Sequence, residues 1–78
     1  MSFSEILKSI RKQKKYTQEQ FARELNVSFS TINRWENGRT EPSVLAKMRL
    51  LEYCKKNGIE EMIIMELAEL NPFLNFFV

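Results

Sequence analysis

Histidine is absent from this sequence of 78 residues, and cysteine occurs only once. Without histidine, the chain cannot use an imidazole as a general acid or base, in a Ser-His triad or as a zinc ligand. The lone Cys54 cannot form an internal disulfide, and we interpret it as a small buried side chain of a cytoplasmic protein. With no pairing of nucleophile and base either, we expect no enzyme, no cofactor and no metal site.

Long apolar segments are also missing, since no run approaches the roughly 20 residues that cross a bilayer. We therefore expect a protein with no membrane contact and, at this length, one compact core.

Charge is unevenly distributed along the sequence. The first 58 residues hold all 12 Lys and Arg against six glutamates, a net +6, and residues 59–78 hold four glutamates, a net −4. A basic body fits a polyanionic partner, although an ordinary mixed-charge surface would explain it as well.

Two capping boxes mark the start of the first two helices. The first is Ser2-Phe3-Ser4-Glu5, and the second is Thr17-Gln18-Glu19-Gln20. The second helix then presents an inward face formed by Phe21, Ala22 and Leu25. Asn26 follows, and asparagine tolerates the left-handed backbone conformation that a tight turn requires. The pattern predicts two helices joined closely to whatever comes next.

Three further helices are predicted, and no strand. Ser28 caps the third helix, and Gly38 ends it. Pro42 prevents that helix from continuing, and a fourth follows from about residue 43, with an inward face predicted at Val44, Leu45, Met48 and Leu51. The fifth runs from about residue 60 to residue 70, with apolar positions at Met62, Ile63, Met65 and Leu67. We therefore predict an all-α fold of five helices.

The connection between the second and third helices is very short. Only residues 26–28 separate them, so the two helices must cross steeply, with Val27 filling the corner. On a helical wheel Ile32 and Trp35 point inward, and the opposite side carries the polar residues Ser30, Asn33, Arg34 and Asn37. This arrangement predicts a helix-turn-helix whose second helix can read base edges in DNA.

The stretch "TQEQFARELNVSFSTINRWENGRTEP" resembles the XRE-type helix-turn-helix domain of phage lambda-like repressors and Cro proteins. The resemblance covers roughly residues 4–57 and is carried by Gln18, Ala22, Val27, Ile32, Trp35, Glu36 and Gly38. Two positions depart from the family pattern: Asn26 stands where glycine is frequent, and Phe29 stands where a polar side chain is frequent. The resemblance implies a compact lambda-repressor-like fold and a transcriptional regulator, specifically a repressor, that binds double-stranded DNA.

The resemblance also implies roles for individual residues. Gln18, at the start of the second helix, resembles a phosphate-binding residue. Asn33 is suited to contact adenine, and Arg34 is suited to contact guanine or a phosphate. Asn37 and the residues at 39–40 resemble the family's backbone-contacting loop. The alternative is an ordinary solvated surface. The candidate DNA-binding residues are Gln18, Ser28, Phe29, Ser30, Asn33, Arg34, Asn37, Arg39 and Thr40.

Phe29 and the pair of Arg11 and Glu36 could each stabilise the fold instead of contacting DNA. Phe29 lies about 90° from the outward direction of the third helix, so burial in the core and contact with a thymine methyl are equally supported. Arg11 and Glu36 match a family ion pair between the first and third helices. We expect this pair to hold the fold rather than to contact DNA.

The end of the chain is more apolar than a free tail should be. We divide the chain into a helix-turn-helix domain at 1–71 and a tail at 72–78, which contains Phe73, Leu74, Phe76, Phe77 and Val78. Exposed apolar patches usually mark interfaces, and the family commonly dimerises after its fourth helix, so the resemblance favours a homodimer formed by the fifth helix and the tail. The tail would otherwise pack on the core, or the chain would be a fragment of a longer protein. An alternative function is a protein-interaction module, such as an antitoxin of a toxin–antitoxin pair, whose tail binds another protein.

Overall fold

The computed structural model describes residues 2–70, which form five α-helices and no strand. In chain order the helices are α1 (Phe3–Gln13), α2 (Gln18–Leu25), α3 (Phe29–Glu36), α4 (Val44–Lys56) and α5 (Glu61–Leu70). The predicted all-α fold is therefore confirmed. Among these residues, no helix has both the length and the apolar character needed to cross a membrane. The apolar tail at 72–78 lies outside the described residues.

The first two helices begin in the predicted capping boxes. The backbone N–H of Ser2 donates to the Glu5 carboxylate at 2.9 Å, and the N–H of Glu5 donates back to the Ser2 hydroxyl at 3.3 Å. At the start of α2, the N–H of Thr17 donates to Gln20 Oε1 at 2.9 Å, and the N–H of Gln20 donates to Thr17 Oγ1 at 3.1 Å. These reciprocal bonds satisfy backbone donors that the helix itself leaves unpaired. Residues within a single turn thus set both helix starts.

The turn between α2 and α3 depends on one residue with a left-handed backbone. Asn26 has φ 57° and ψ 45°, as the sequence predicts for this position. The N–H of Val27 donates to the carbonyl of Ala22 at 2.9 Å, which closes the end of α2. The chain then reaches Ser28, whose hydroxyl accepts the N–H of Thr31 and caps α3. Two short helices are thus joined within three residues.

The core lies where the five helices meet. Its fully buried side chains are Phe21, Ile6, Leu7, Ile10, Ile32, Leu51, Leu67 and Cys54, so the prediction that Cys54 is buried is confirmed. Trp35 is half-buried at the edge of this cluster. Its ring packs edge-to-face against Phe3, with ring centroids 6.2 Å apart. Helix α3 therefore rests on α1 through an aromatic contact.

The inward face predicted for α4 is partly wrong. Val44 and Leu45 are 46% and 60% exposed, and the buried residues of this helix are Lys47, Leu50, Leu51 and Cys54. The ammonium of Lys47 lies 5.9 Å from the centroid of the Phe3 ring and 3.3 Å from a carboxylate oxygen of Glu41. Its aliphatic stem can cover apolar surface while its charge contacts the ring and the carboxylate. A lysine thus occupies a core position.

The fifth predicted helix is present as α5, and two of its four apolar positions are buried. Ile63 and Leu67 are buried, whereas Met62 and Met65 are 66% and 53% exposed. The backbone N–H of Glu60, just before α5, donates to Oε1 of Gln13 at 2.9 Å. The end of α1 therefore caps the start of α5 and fixes this last helix against the first.

Candidate nucleic-acid interface

The third helix is held against α1 and α2 by one side only. Ile32 is fully buried, and Glu36, one turn further along, is only 2% exposed. These two positions define the inner face of α3, and they agree with the predicted wheel. The opposite face of α3 consequently faces solvent.

The predicted site residues fall into two groups. Seven are exposed along α3, at its capped start and in the loop that follows: Ser28, Phe29, Ser30, Arg34, Asn37, Arg39 and Thr40. Gln18 and Asn33 are instead half-buried between α2 and α3. Phe29 is 52% exposed, so the interpretation of Phe29 as a core residue is wrong. Its ring presents an apolar surface near the start of α3.

The loop after α3 keeps its arginine next to the helix. Gly38 has φ 71°, a left-handed conformation that glycine adopts without steric cost. The N–H of Arg39 then donates to the carbonyl of Arg34 at 3.1 Å. Arg39 therefore follows the end of α3 closely, and both Arg34 and Arg39 are exposed.

The predicted pair between Arg11 and Glu36 is present. Arg11 Nε donates to one carboxylate oxygen at 2.8 Å and Nη2 donates to the other at 3.0 Å, which is a bidentate arrangement. Nη1 of the same guanidinium donates to the carbonyl of Tyr16 at 3.1 Å. The pair thus connects α1, the turn that precedes α2, and α3, and it lies on the inner side of α3.

A chain of amide side chains extends from this ion pair toward the exposed surface. Gln18 Nε2 donates to Glu36 Oε1 at 3.2 Å, and Asn33 Nδ2 donates to Gln18 Oε1 at 3.2 Å. Asn37 Nδ2 then donates to Asn33 Oδ1 at 3.1 Å. The sequence singles out Gln18 and Asn33 separately but does not indicate that they bond. The spacing of four residues between Asn33 and Asn37 does indicate a shared helix face.

The resulting surface combines several kinds of binding group. It offers the guanidinium groups of Arg34 and Arg39, hydroxyls, carboxamides and the apolar ring of Phe29. Guanidinium groups bind phosphate or guanine, carboxamides bind adenine, and apolar carbon contacts the thymine methyl. This set of groups is suited to a nucleic-acid duplex.

Comparison with known proteins agrees with this geometry. The family model HTH_3, described as helix-turn-helix, matches residues 7–58, which include α2, the turn and α3. The HTH-type transcriptional activator BcrR of Enterococcus faecalis is 43% identical over 44 residues, which are 56% of this chain and 22% of that relative. The chain thus spans less than a quarter of the length of this curated relative. No solved structure matches the chain. With two thirds of its residues in the family match and the helix-turn-helix formed as predicted, the chain belongs to the XRE-type helix-turn-helix family.

Proposed function

We propose that the chain binds double-stranded DNA sequence-specifically and regulates transcription, with α3 lying in the major groove. The observation that carries this proposal is the exposed outer face of α3, which opposes the buried Ile32 and Glu36. A major groove about 12 Å wide admits an α-helix. Membership of the helix-turn-helix family supports the proposal, as does the name of the relative, a transcriptional activator.

We assign base reading to the residues at the start and in the middle of α3. Arg34 is exposed, and a guanidinium can donate two hydrogen bonds to O6 and N7 of guanine. Phe29 is suited to a thymine methyl because its ring is exposed rather than packed in the core. Ser30 supplies a hydroxyl that donates or accepts, and Asn33 supplies a carboxamide suited to adenine.

Phosphate contacts fall to residues on either side of this reading face. Gln18 begins α2, where backbone N–H groups without helical partners favour an anion. Ser28 precedes α3, and its hydroxyl caps that helix. Asn37, Arg39 and Thr40 flank the other end. Contacts of this kind position a protein on the duplex without reading its sequence.

The reading role of Arg34 can be tested against an arginine elsewhere in the helix-turn-helix. Sequences bound by the full chain are selected from random duplexes, and affinities are then measured for the preferred and for a random duplex. Arg34→Ala should cost about 1 to 3 kcal/mol on the preferred duplex and relax preference at the base pair it contacts. Arg23→Ala, which removes the same charge from an exposed position of α2, should leave the preference unchanged. Equal losses of Arg34→Ala on both duplexes would contradict the assignment.

We propose repression as the direction of regulation, because occupation of a promoter is sufficient to exclude a polymerase. A reporter gene whose promoter overlaps the selected site should lose expression when the chain is present, and Arg34→Ala should restore it. Increased expression from the wild-type chain would instead show activation, the activity named for the relative.

We propose that the active form is a homodimer joined through α5 and the tail at 72–78. One recognition helix contacts few base pairs, so specificity usually requires two half-sites about 34 Å apart and a two-fold axis in the protein. Met62 and Met65 leave an exposed apolar surface on α5. Sedimentation should show a dimer that Met62→Gln with Met65→Gln, or deletion of 72–78, converts to a monomer. The matched control replaces Val44 and Leu45, the exposed apolar pair of α4, with glutamine. A monomeric wild-type chain, or loss of the dimer in the control alone, would refute this interface.

A further inference from the structure

We propose that Glu36 acts as a positioning residue for base recognition, because through Gln18 it orients the carboxamides of Asn33 and Asn37. This inference rests on the proposed function. It concerns the direction of the hydrogen-bond chain that links the buried ion pair to the outer face of α3.

The direction starts at an acceptor that cannot donate. Both oxygens of Glu36 accept hydrogen bonds from the Arg11 guanidinium, at 2.8 and 3.0 Å, and the residue is only 2% exposed. An ionised carboxylate has lone pairs and no proton to give. Any polar neighbour of Glu36 must therefore turn a donor toward it.

Gln18 is that neighbour, and its orientation follows. Its Nε2 lies 3.2 Å from Glu36 Oε1. A rotation of the carboxamide by 180° would bring Gln18 Oε1, which is also an acceptor, to this distance from Glu36 Oε1. No proton would then lie between the two oxygens. Burial makes such a contact costly. The oxygen of Gln18 is therefore held toward Asn33.

The orientation of Gln18 passes to the two asparagines. Since Gln18 Oε1 accepts, Asn33 must present its nitrogen, and the observed distance is 3.2 Å. Asn33 Oδ1 then faces Asn37, whose Nδ2 donates to it at 3.1 Å. Each carboxamide is fixed by the one before it, as amide orientations in such networks are.

The direction decides which atoms remain for DNA. These bonds within residues 2–70 leave Asn33 one N–H and one oxygen lone pair, which is the combination that adenine requires. They also leave Asn37 one N–H, which can donate to phosphate, and its oxygen, which can accept from a base amino group. If the hydrogen bonds ran in the opposite direction, Asn37 would turn its oxygen inward and present only N–H groups, which suit phosphate. Glu36 thus selects between two chemically different surfaces without contacting DNA.

The first test examines the free protein. In the 15N-labelled full chain, the carboxamide protons of Gln18 and Asn33 should exchange with water several-fold more slowly than those of Asn26, which is exposed. Glu36→Gln supplies an N–H at the same position, so both directions become possible and the exchange of Gln18 and Asn33 should approach that of Asn26. Glu41→Gln removes the carboxylate that pairs with Lys47 and should leave both unchanged. Unprotected Asn33 protons in the wild-type chain would overturn the inference.

The second test retains the ion pair in case Glu36→Gln does not fold. Gln18→Met removes the link together with the carboxamide that is proposed to contact phosphate. Asn33 protons should therefore exchange faster, and affinity should fall for all duplexes, but more for the preferred duplex than for a random one. Protection of Asn33 that persists in this variant would overturn the inference. So would equal losses on all duplexes, which would reduce Gln18 to a phosphate contact. A chain that selects no duplex would refute the proposed function, and the exchange of the free protein would still decide the orienting role of Glu36.

Discussion

Removal of the Glu36 carboxylate should be among the most destabilising single changes in this chain. Glu36 is 2% exposed and accepts from Arg11 at 2.8 and 3.0 Å and from Gln18 at 3.2 Å. Glu36→Ala leaves these donors without an acceptor in a confined site, and breaking a buried pair in this way costs about 3 to 5 kcal/mol. The Arg11 side chain retains 20% exposure, so water can reach it and the lower end of this range applies.

That loss is large compared with the whole stability of the domain. At roughly 0.05 to 0.15 kcal/mol per residue, a chain of this length has a free energy of unfolding of about 4 to 12 kcal/mol. Glu36→Ala should therefore retain a fraction of the wild-type stability. Its urea midpoint should shift to low concentration while the slope of the transition stays the same.

A double variant distinguishes the cost of breaking the ion pair from the cost of removing buried atoms. Arg11→Met with Glu36→Leu removes both charges and both desolvation costs, so it should be less destabilised than Glu36→Ala, as apolar replacements of buried pairs often are. Urea unfolding followed by fluorescence of Trp35, the single tryptophan, and by circular dichroism measures all the variants. Strict additivity of Arg11→Met and Glu36→Leu would refute the reasoning, because coupled partners must show an interaction energy.

Three other perturbations test the remaining structure. Trp35→Ala should cost about 2 to 3 kcal/mol in urea unfolding, less than a fully buried aromatic, because Trp35 is half-buried; a variant as stable as wild type would contradict the contact with Phe3. Asn26→Ala should cost about 1 kcal/mol and Asn26→Gly should cost nothing, since φ is 57°; equal melting temperatures of the two variants would contradict the left-handed turn. Burial raises the pKa of Cys54 to about 12, so the unfolded thiol, which ionises near pH 8.5, loses its proton first. Stability should therefore be unaffected by this group below about pH 8 and should fall at higher pH by up to about 1.4 kcal/mol per unit, a slope that Cys54→Ala reduces; identical slopes would refute it.

The predictable parts of this fold are those whose partners lie close in sequence. Ser2 and Glu5 form a capping box because they are three residues apart on one turn, and the same holds for Thr17 and Gln20. Asn26 is similarly recognisable from its position directly after an apolar helix face. None of these features depends on how the helices pack together.

The inward face of α4 could not be predicted because a charged residue occupies it. Buried positions 47, 50, 51 and 54 follow regular helical spacing, but the first of them is Lys47. An apolar pattern therefore favours a face beginning at Val44, although that residue is 46% exposed. Only packing against Phe3 and Glu41 shows why a lysine is accepted there.

The candidate site shows the same division between local and tertiary information. The wheel identifies Arg34 as outward and Ile32 as inward because both follow from helical geometry alone. The bond between Gln18 and Asn33 depends on the distance between two helices, which sequence spacing does not give. The half-burial of Asn33 follows from that distance too.

The capping of α5 by Gln13 has a consequence for the order in which the chain folds. The bond from Glu60 to Gln13 spans 47 residues, and ordering a longer loop costs more entropy than ordering the turns between α1, α2 and α3. Docking of α5 should therefore come late, and its amide protons should exchange through openings smaller than global unfolding. If α5 also joins two subunits, its protection must rise with protein concentration, because association stabilises only the docked form. Subunit assembly would then complete the folding of the monomer.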